Sequence, residues 1–71
     1  MNEIKMLDVV AILEDVESEG LRRGEVGTVI EHWKEGLFEV EFSDNTGQAY
    51  AFVVLRPEQI MKLHFRKDEA A

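Results

Sequence analysis

The clearest pattern along the chain lies in residues 37–42, where apolar and acidic residues alternate strictly from position 38 onward. Phe38, Val40 and Phe42 are separated by single glutamates. Successive side chains of a β-strand point to opposite faces, so this spacing predicts a strand with one buried face and one exposed face. A polar stretch over residues 43–48 follows and is typical of a hairpin loop.

Four further segments have β character and are separated by Gly, Asp, Asn or Pro. They are rich in branched and aromatic residues, which strands favour, and they cover residues 7–13, 26–33, 49–55 and 60–65. Arg56–Gln59 is predicted to form one helical turn, because Pro57 suits the first position of such a turn. The sequence therefore predicts a single all-β domain over residues 1–71. We expect a small barrel of about five antiparallel strands, with that turn before the last strand and a frayed tail at residues 66–71.

The hairpin loop sets which residues face each other across the two strands. A loop of residues 44–47 places three inward pairs opposite each other: Phe42 with Ala49, Val40 with Ala51, and Phe38 with Val53. The same register places large apolar side chains on the outer face beside Glu39 and Glu41, namely Tyr50, Phe52 and Val54. A slip of one residue would exchange the two faces.

Large apolar side chains on a solvent-facing surface are usually covered by another segment of the chain or by a partner. Two alternatives are open at this point. The long acidic loop at residues 14–24 could fold over them, with Leu21 and Val16 as apolar anchors. The second alternative is an interface with an identical subunit or with another protein.

The charge balance changes the range of partners. Fifteen acidic residues and eight basic residues give a net charge of -7. Nucleic acids are bound mainly by Lys and Arg that displace counterions, so this charge disfavours them and favours a basic protein surface. The chain has no cysteine, which excludes disulfides. A fold this small gains stability by assembling, so we expect a homo-oligomer.

No apolar run reaches the roughly 20 residues needed to span a bilayer. The N-terminal residues also lack the basic region and apolar stretch of a signal peptide. We therefore expect a cytoplasmic protein without membrane contact.

Two resemblances to known families refine the prediction. Residues 23–29, Arg-Gly-Glu-Val-Gly-Thr-Val, resemble the Gly-x-x-Gly-x-Val core of the KOW motif, which is found in SH3-like barrels of ribosomal proteins and transcription elongation factors. A larger part of the chain is similar to a family of small uncharacterised bacterial domains common in cyanobacteria and on mobile DNA. That pattern matches residues 7–15, 20–29, 39–42 and 55–60. It implies an SH3-like barrel, and the neighbourhood of some members hints at an antitoxin or immunity role with a toxin-like partner.

The glycines of the KOW-like segment have a structural interpretation of their own. Gly24 and Gly27 flank a sharp entry into a strand, where a side chain would clash or would require a positive φ. The segment lacks the Lys-Ser/Thr end of a P-loop, so no phosphate-binding loop is expected.

Three other residues are candidates for contacts. Trp33 ends the second strand and is interpreted first as a cap on a small core, with an interface role as the alternative. Arg22 and Arg23 are the only basic pair outside the tail. Together with Trp33 they form the alternative prediction, a KOW-like nucleic-acid contact, although neighbouring glutamates weaken their field.

Nothing in the sequence indicates catalysis. The acidic residues of the 14–24 loop lack the spacing of a calcium loop, so no metal site is predicted. His32 and His64 are far apart and no motif surrounds them, so no catalytic residue or cofactor is expected. The sequence thus predicts a non-catalytic protein-binding module that self-associates through Tyr50, Phe52, Val54 and Trp33, ringed by Glu39 and Glu41.

Overall fold

The computed structural model describes residues 3–65, which form one five-stranded antiparallel sheet. The strands are β1 (Val9–Ile12), β2 (Val26–His32), β3 (Phe38–Ser43), β4 (Ala49–Leu55) and β5 (Ile60–Lys62). Three short 3₁₀ turns connect them, at Glu17–Glu19, Lys34–Gly36 and Pro57–Gln59. The predicted all-β class and the helical turn before the last strand are confirmed. The predicted tail at residues 66–71 lies outside the described residues.

The strand order across the sheet is β4-β3-β2-β1-β5. Each strand pairs in antiparallel fashion with its neighbours, and β4 and β5 are the two edges. Within residues 3–65 no ladder joins β4 to β5, so hydrogen bonds do not close the predicted barrel. The buried residues of the sheet and its loops nevertheless form a single core.

This core follows from the alternation along the strands. Phe38, Val40 and Phe42 are buried, as predicted, while the glutamates between them are half-buried on the other side. The loop at residues 14–24 contributes Leu21, which is buried, and Val16, which packs against the cluster. The buried core residues come from every strand and from this loop: Val10, Ile12, Leu21, Val29, Phe38, Val40, Phe42, Val53, Leu55 and Ile60.

The first and last strands of the chain are shorter than predicted. The first was expected to begin at Leu7, but Leu7 has a left-handed backbone with φ of 71° and cannot continue a strand. A turn formed by Lys5 and Asp8 explains this, because the Lys5 N–H donates to the Asp8 carboxylate at 2.7 Å. The last strand was expected to reach residue 65 but ends at Lys62.

The β3–β4 register differs from the prediction by two residues. The observed inward pairs are Phe42 with Ala51, Val40 with Val53, and Phe38 with Leu55. One residue of the shift comes from the loop, since Ser43 pairs with Ala49 and five residues lie between them. The other comes from a β-bulge at Tyr50, which has no partner on β3. Because the total shift is even, Phe52 and Val54 stay on the outer face.

Gly24 and Gly27 each occupy a position where another residue would be strained. Gly24 has a φ of +94°, a region that favours glycine. Gly27 lies inside β2, where a Cβ would stand 2.6 Å from Val40 Cγ1 and 2.8 Å from the carbonyl oxygen of Glu41. The structural interpretation of both glycines is therefore confirmed.

Candidate protein interface

The outer face of β4 carries the most prominent exposed apolar side chains of the sheet. Phe52 is 56% exposed and Val54 is 50% exposed, and we call these two residues the β4 stripe. The loop at residues 14–24 does not cover them, because its own apolar residues, Val16 and Leu21, are directed to the core. The stripe is thus available to a partner.

The strand beside the stripe carries carboxylates in register with it. Glu41 lies opposite Phe52, and Glu39 lies opposite Val54. On the other side of β3, Glu31 of β2 lies directly opposite Glu39. Within residues 3–65 none of these three glutamates forms an ion pair. Like charges that face each other across strands are destabilising, so this acidic row, Glu31, Glu39 and Glu41, would be stabilised by added cations.

Tyr50 is exposed to a similar extent, at 52%, but the bulge gives it a contact of its own. Its hydroxyl donates a hydrogen bond of 2.7 Å to Glu25. Its ring lies 6.3 Å from that of Phe42. Two hydrogen bonds hold the pKa of Glu25 below its ordinary value. The larger effect comes from the backbone N–H of Arg22 and the next from the Tyr50 hydroxyl. The same bond raises the pKa of Tyr50. Tyr50 therefore connects the end of the stripe to the start of β2.

This bond predicts a specific pH dependence for Tyr50→Phe. A carboxylate whose pKa is lowered on folding stabilises the fold above its unfolded pKa, about 4.5 here, and that contribution is lost as the pH falls through the folded value. We expect the variant to lose about 0.5–1 kcal/mol at about pH 7, because the bond is partly exposed. At about pH 3 the difference from the wild type should shrink, as measured by urea unfolding. A difference that stays constant down to that pH would contradict an ionised Glu25 as the partner of the Tyr50 hydroxyl.

Trp33 lies at the far end of β2 and is 49% exposed, so it is not a buried cap on the core. Its backbone is extended, with φ of -87° and ψ of 162°. It follows His32, which pairs with the buried Phe38. Side-chain alternation therefore places Trp33 on the same side of the sheet as Glu31, near the Val54 end of the β4 stripe.

Arg22 and Arg23 lie at the opposite end of β2 from Trp33. The seven residues of β2 stand between them, a separation of about 20 Å or more. Two carboxylates lie beside this pair, since Glu25 accepts from the backbone N–H of Arg22 and Asp15 accepts from the backbone N–H of Arg23. The structure thus does not bring the three residues of the predicted nucleic-acid contact together.

Residues of the acidic loop and His32 make contacts within the domain. Asp15 accepts from Arg23, and Glu14 accepts from the side chain of Gln59. His32 stacks on Phe38 with ring centroids 4.5 Å apart. In the part of the chain from residue 3 to 65, no three His, Cys, Asp or Glu side chains lie close enough together to hold a metal ion.

Residues 6–62 match the family model described as Domain of unknown function (DUF4926). The chain belongs to this family. No curated protein and no solved structure matches it. The predicted membership of an uncharacterised domain family is confirmed, whereas the SH3-like, cyanobacterial and KOW-like relationships stay predictions. Among residues 3–65, no helix has the length and apolar character needed to cross a membrane.

The part matched by the DUF4926 family contains all five strands and therefore the whole candidate interface. It also contains a second exposed apolar patch that the sequence analysis missed. Val26 and Met61 flank Ala11 in register on the outer face, and both are nearly half exposed. The alternation Ile60, Met61, Lys62 was the available signal, but three residues are too few to show a period.

Proposed function

We propose that this member of the DUF4926 family is a non-catalytic protein-binding module whose contact surface is the β4 stripe. We include Tyr50 and Trp33 as the two ends of this surface, and Glu39 and Glu41 as the carboxylates that run along it. The observation that carries the proposal is the exposure of Phe52 and Val54 on an edge strand. Covering the exposed half of each side chain would stabilise a complex by about 1 kcal/mol.

Without another partner, the surface is expected to bind a second copy of the chain. A dimer is favoured because a domain of this size buries a small core and gains apolar area by assembling. The strand order and the turn before β5 support an SH3-like barrel, and the acidic charge supports a basic, toxin-like protein as an alternative partner in the cytoplasm.

A charge placed in the stripe tests the proposal. Phe52→Lys should weaken self-association by about 30-fold, because a buried aromatic anchor contributes about 2 kcal/mol. Met61→Lys is the matched control, since Met61 is 49% exposed on a different strand and the charge change is the same. Molar mass is measured by light scattering over a range of protein concentrations.

The proposal predicts a dimer for the wild type and for Met61→Lys and a monomer for Phe52→Lys. A dimer that survives Phe52→Lys but dissociates with Met61→Lys would move the interface to the patch around Ala11. That result would overturn the β4 stripe as the surface of self-association.

A further inference from the structure

The edge of β4 is unprotected to an unusual degree. Natural sheets defend their edges with lysines, prolines, inward charges or very short strands. The other edge follows this rule, because β5 has three residues and ends in Lys62. In contrast, β4 has seven residues, Ala-Tyr-Ala-Phe-Val-Val-Leu, with no charge and no proline. Its only irregularity is the bulge at Tyr50, near its start.

An unprotected edge of this kind can accept an additional strand. In strand addition, main-chain hydrogen bonds extend the sheet and alternate side chains of the incoming peptide provide specificity. Neighbouring strands lie about 4.8 Å apart, so outward side chains on the incoming strand would lie next to Phe52 and Val54. Among residues 3–65, no strand pairs with this side of β4.

The acidic row selects the chemistry of that strand. Glu41 and Glu39 lie one strand further in, about 10 Å from the position of an added strand. A Lys or Arg at an outward position could pass its aliphatic stem over Phe52 or Val54 and bring its charge to these carboxylates. The cation would also offset the repulsion between Glu31 and Glu39.

A second copy of the chain satisfies these features less completely. Its β4 would supply apolar side chains but no cation, because the strand is uncharged. Its net charge of -7 would also repel an identical molecule. We therefore infer that the preferred occupant of the β4 edge is an extended segment of a basic protein, with Lys or Arg on its outward positions and β-branched residues between them. This inference rests on the proposed function, because both use the β4 stripe.

The probe is a blocked heptapeptide in which Lys and Val alternate, beginning and ending with Lys. Two control peptides have Glu in place of Lys, or the same Lys and Val residues grouped in two blocks. Binding is measured by calorimetry at low ionic strength, and its location by backbone amide shifts and hydrogen exchange. We expect the alternating Lys peptide to protect amides of β4 and to convert the dimer into a monomer with bound peptide.

The carboxylates are tested by the double variant Glu39→Gln, Glu41→Gln. It should bind the peptide about 10-fold more weakly, as expected for two partly exposed ion pairs. The matched control is Glu17→Gln, Glu19→Gln, which removes the same charge from exposed positions in the first 3₁₀ turn and should change binding less than about two-fold. Added salt should weaken peptide binding, because it screens the attraction between the Lys side chains and the carboxylates. It should strengthen self-association, because it screens the repulsion between two acidic molecules.

The inference is overturned if the Glu and Lys peptides bind equally, if the block peptide binds as well as the alternating one, or if the protected amides lie away from β4. It is also overturned if both double variants lose the same affinity. In any of these cases a Phe52-dependent dimer would still support the proposed function. The proposed function would fall only if Phe52→Lys altered neither self-association nor peptide binding.

Discussion

Phe42→Ala is expected to remove a large part of the domain's stability, whereas Phe52→Ala should change its stability little. Phe42 is fully buried and pairs with Ala51, while Phe52 lies on the outer face. Removing a buried Phe side chain costs about 3–5 kcal/mol. A chain of 71 residues has a total stability of about 4–11 kcal/mol at about 0.05–0.15 kcal/mol per residue. Phe52→Ala should cost about 1 kcal/mol or less, because more than half of that side chain is already in water.

The measurement is urea unfolding followed by circular dichroism, at a protein concentration low enough to keep both variants monomeric. The two phenylalanines make a matched pair, since they undergo the same chemical change on neighbouring strands. Equal losses of stability in the two variants would contradict the assignment of inner and outer faces, and with it the exposed β4 stripe.

Gly27→Ala is expected to destabilise the domain, although alanine is normally more favourable than glycine within a strand. The added methyl would stand 2.6 Å from Val40 Cγ1, 2.8 Å from the Glu41 carbonyl oxygen and 3.0 Å from Phe42 Cδ1. A backbone oxygen cannot move without moving β3, so the strands must separate. Overpacking of this kind costs about 1–3 kcal/mol.

Thermal unfolding of Gly27→Ala is best compared with that of Thr28→Ala, the next residue along β2. Thr28 is half-buried and pairs with Glu41 on the outer face, where a smaller side chain leaves no clash. We expect a clear fall in Tm for Gly27→Ala and a small one for Thr28→Ala. A stabilised Gly27→Ala variant would mean that β2 and β3 do not approach as closely as described.

Much of the fold could be predicted from residue types alone. The bounds of β4 and the buried side of β3 follow from short-range alternation and turn residues, which act within a few positions of the chain. Gly24 and Gly27 were identifiable for the same reason, because the backbone at a sharp strand entry restricts the residues that fit. The loop anchor Leu21 was visible as an isolated apolar residue among acidic neighbours.

The register of the hairpin could not be predicted because its causes are not local. The bulge at Tyr50 accompanies a hydrogen bond to Glu25, which is 25 residues away in the sequence. The five-residue loop is held by Asp44, whose carboxylate accepts from Thr46 and Gln48. The Thr46 hydroxyl also donates to this carboxylate. These bonds, above all that of the hydroxyl, lower the pKa of Asp44. Sequence composition marked a loop here but not its length.

The separation of Arg22 and Arg23 from Trp33 likewise depends on the length of one strand. The sequence placed all three within a dozen positions, which made a shared surface plausible. An extended strand carries its ends far apart, whereas a helix of the same length would have kept them within about 15 Å. The candidate contact is therefore divided between the two ends of β2.

The two irregularities of the β3–β4 hairpin impose a constraint on sequence change within the family. The additional loop residue and the bulge each reverse the facing of β4, and together they restore it. A single insertion or deletion between Ser43 and Ala51 would therefore turn Phe52 inward and Val53 outward if the loop kept its five residues and the bulge stayed in place. Relatives whose hairpin differs by one residue should therefore differ in the length of the loop or in the presence of the bulge, with the buried side of β4 unchanged.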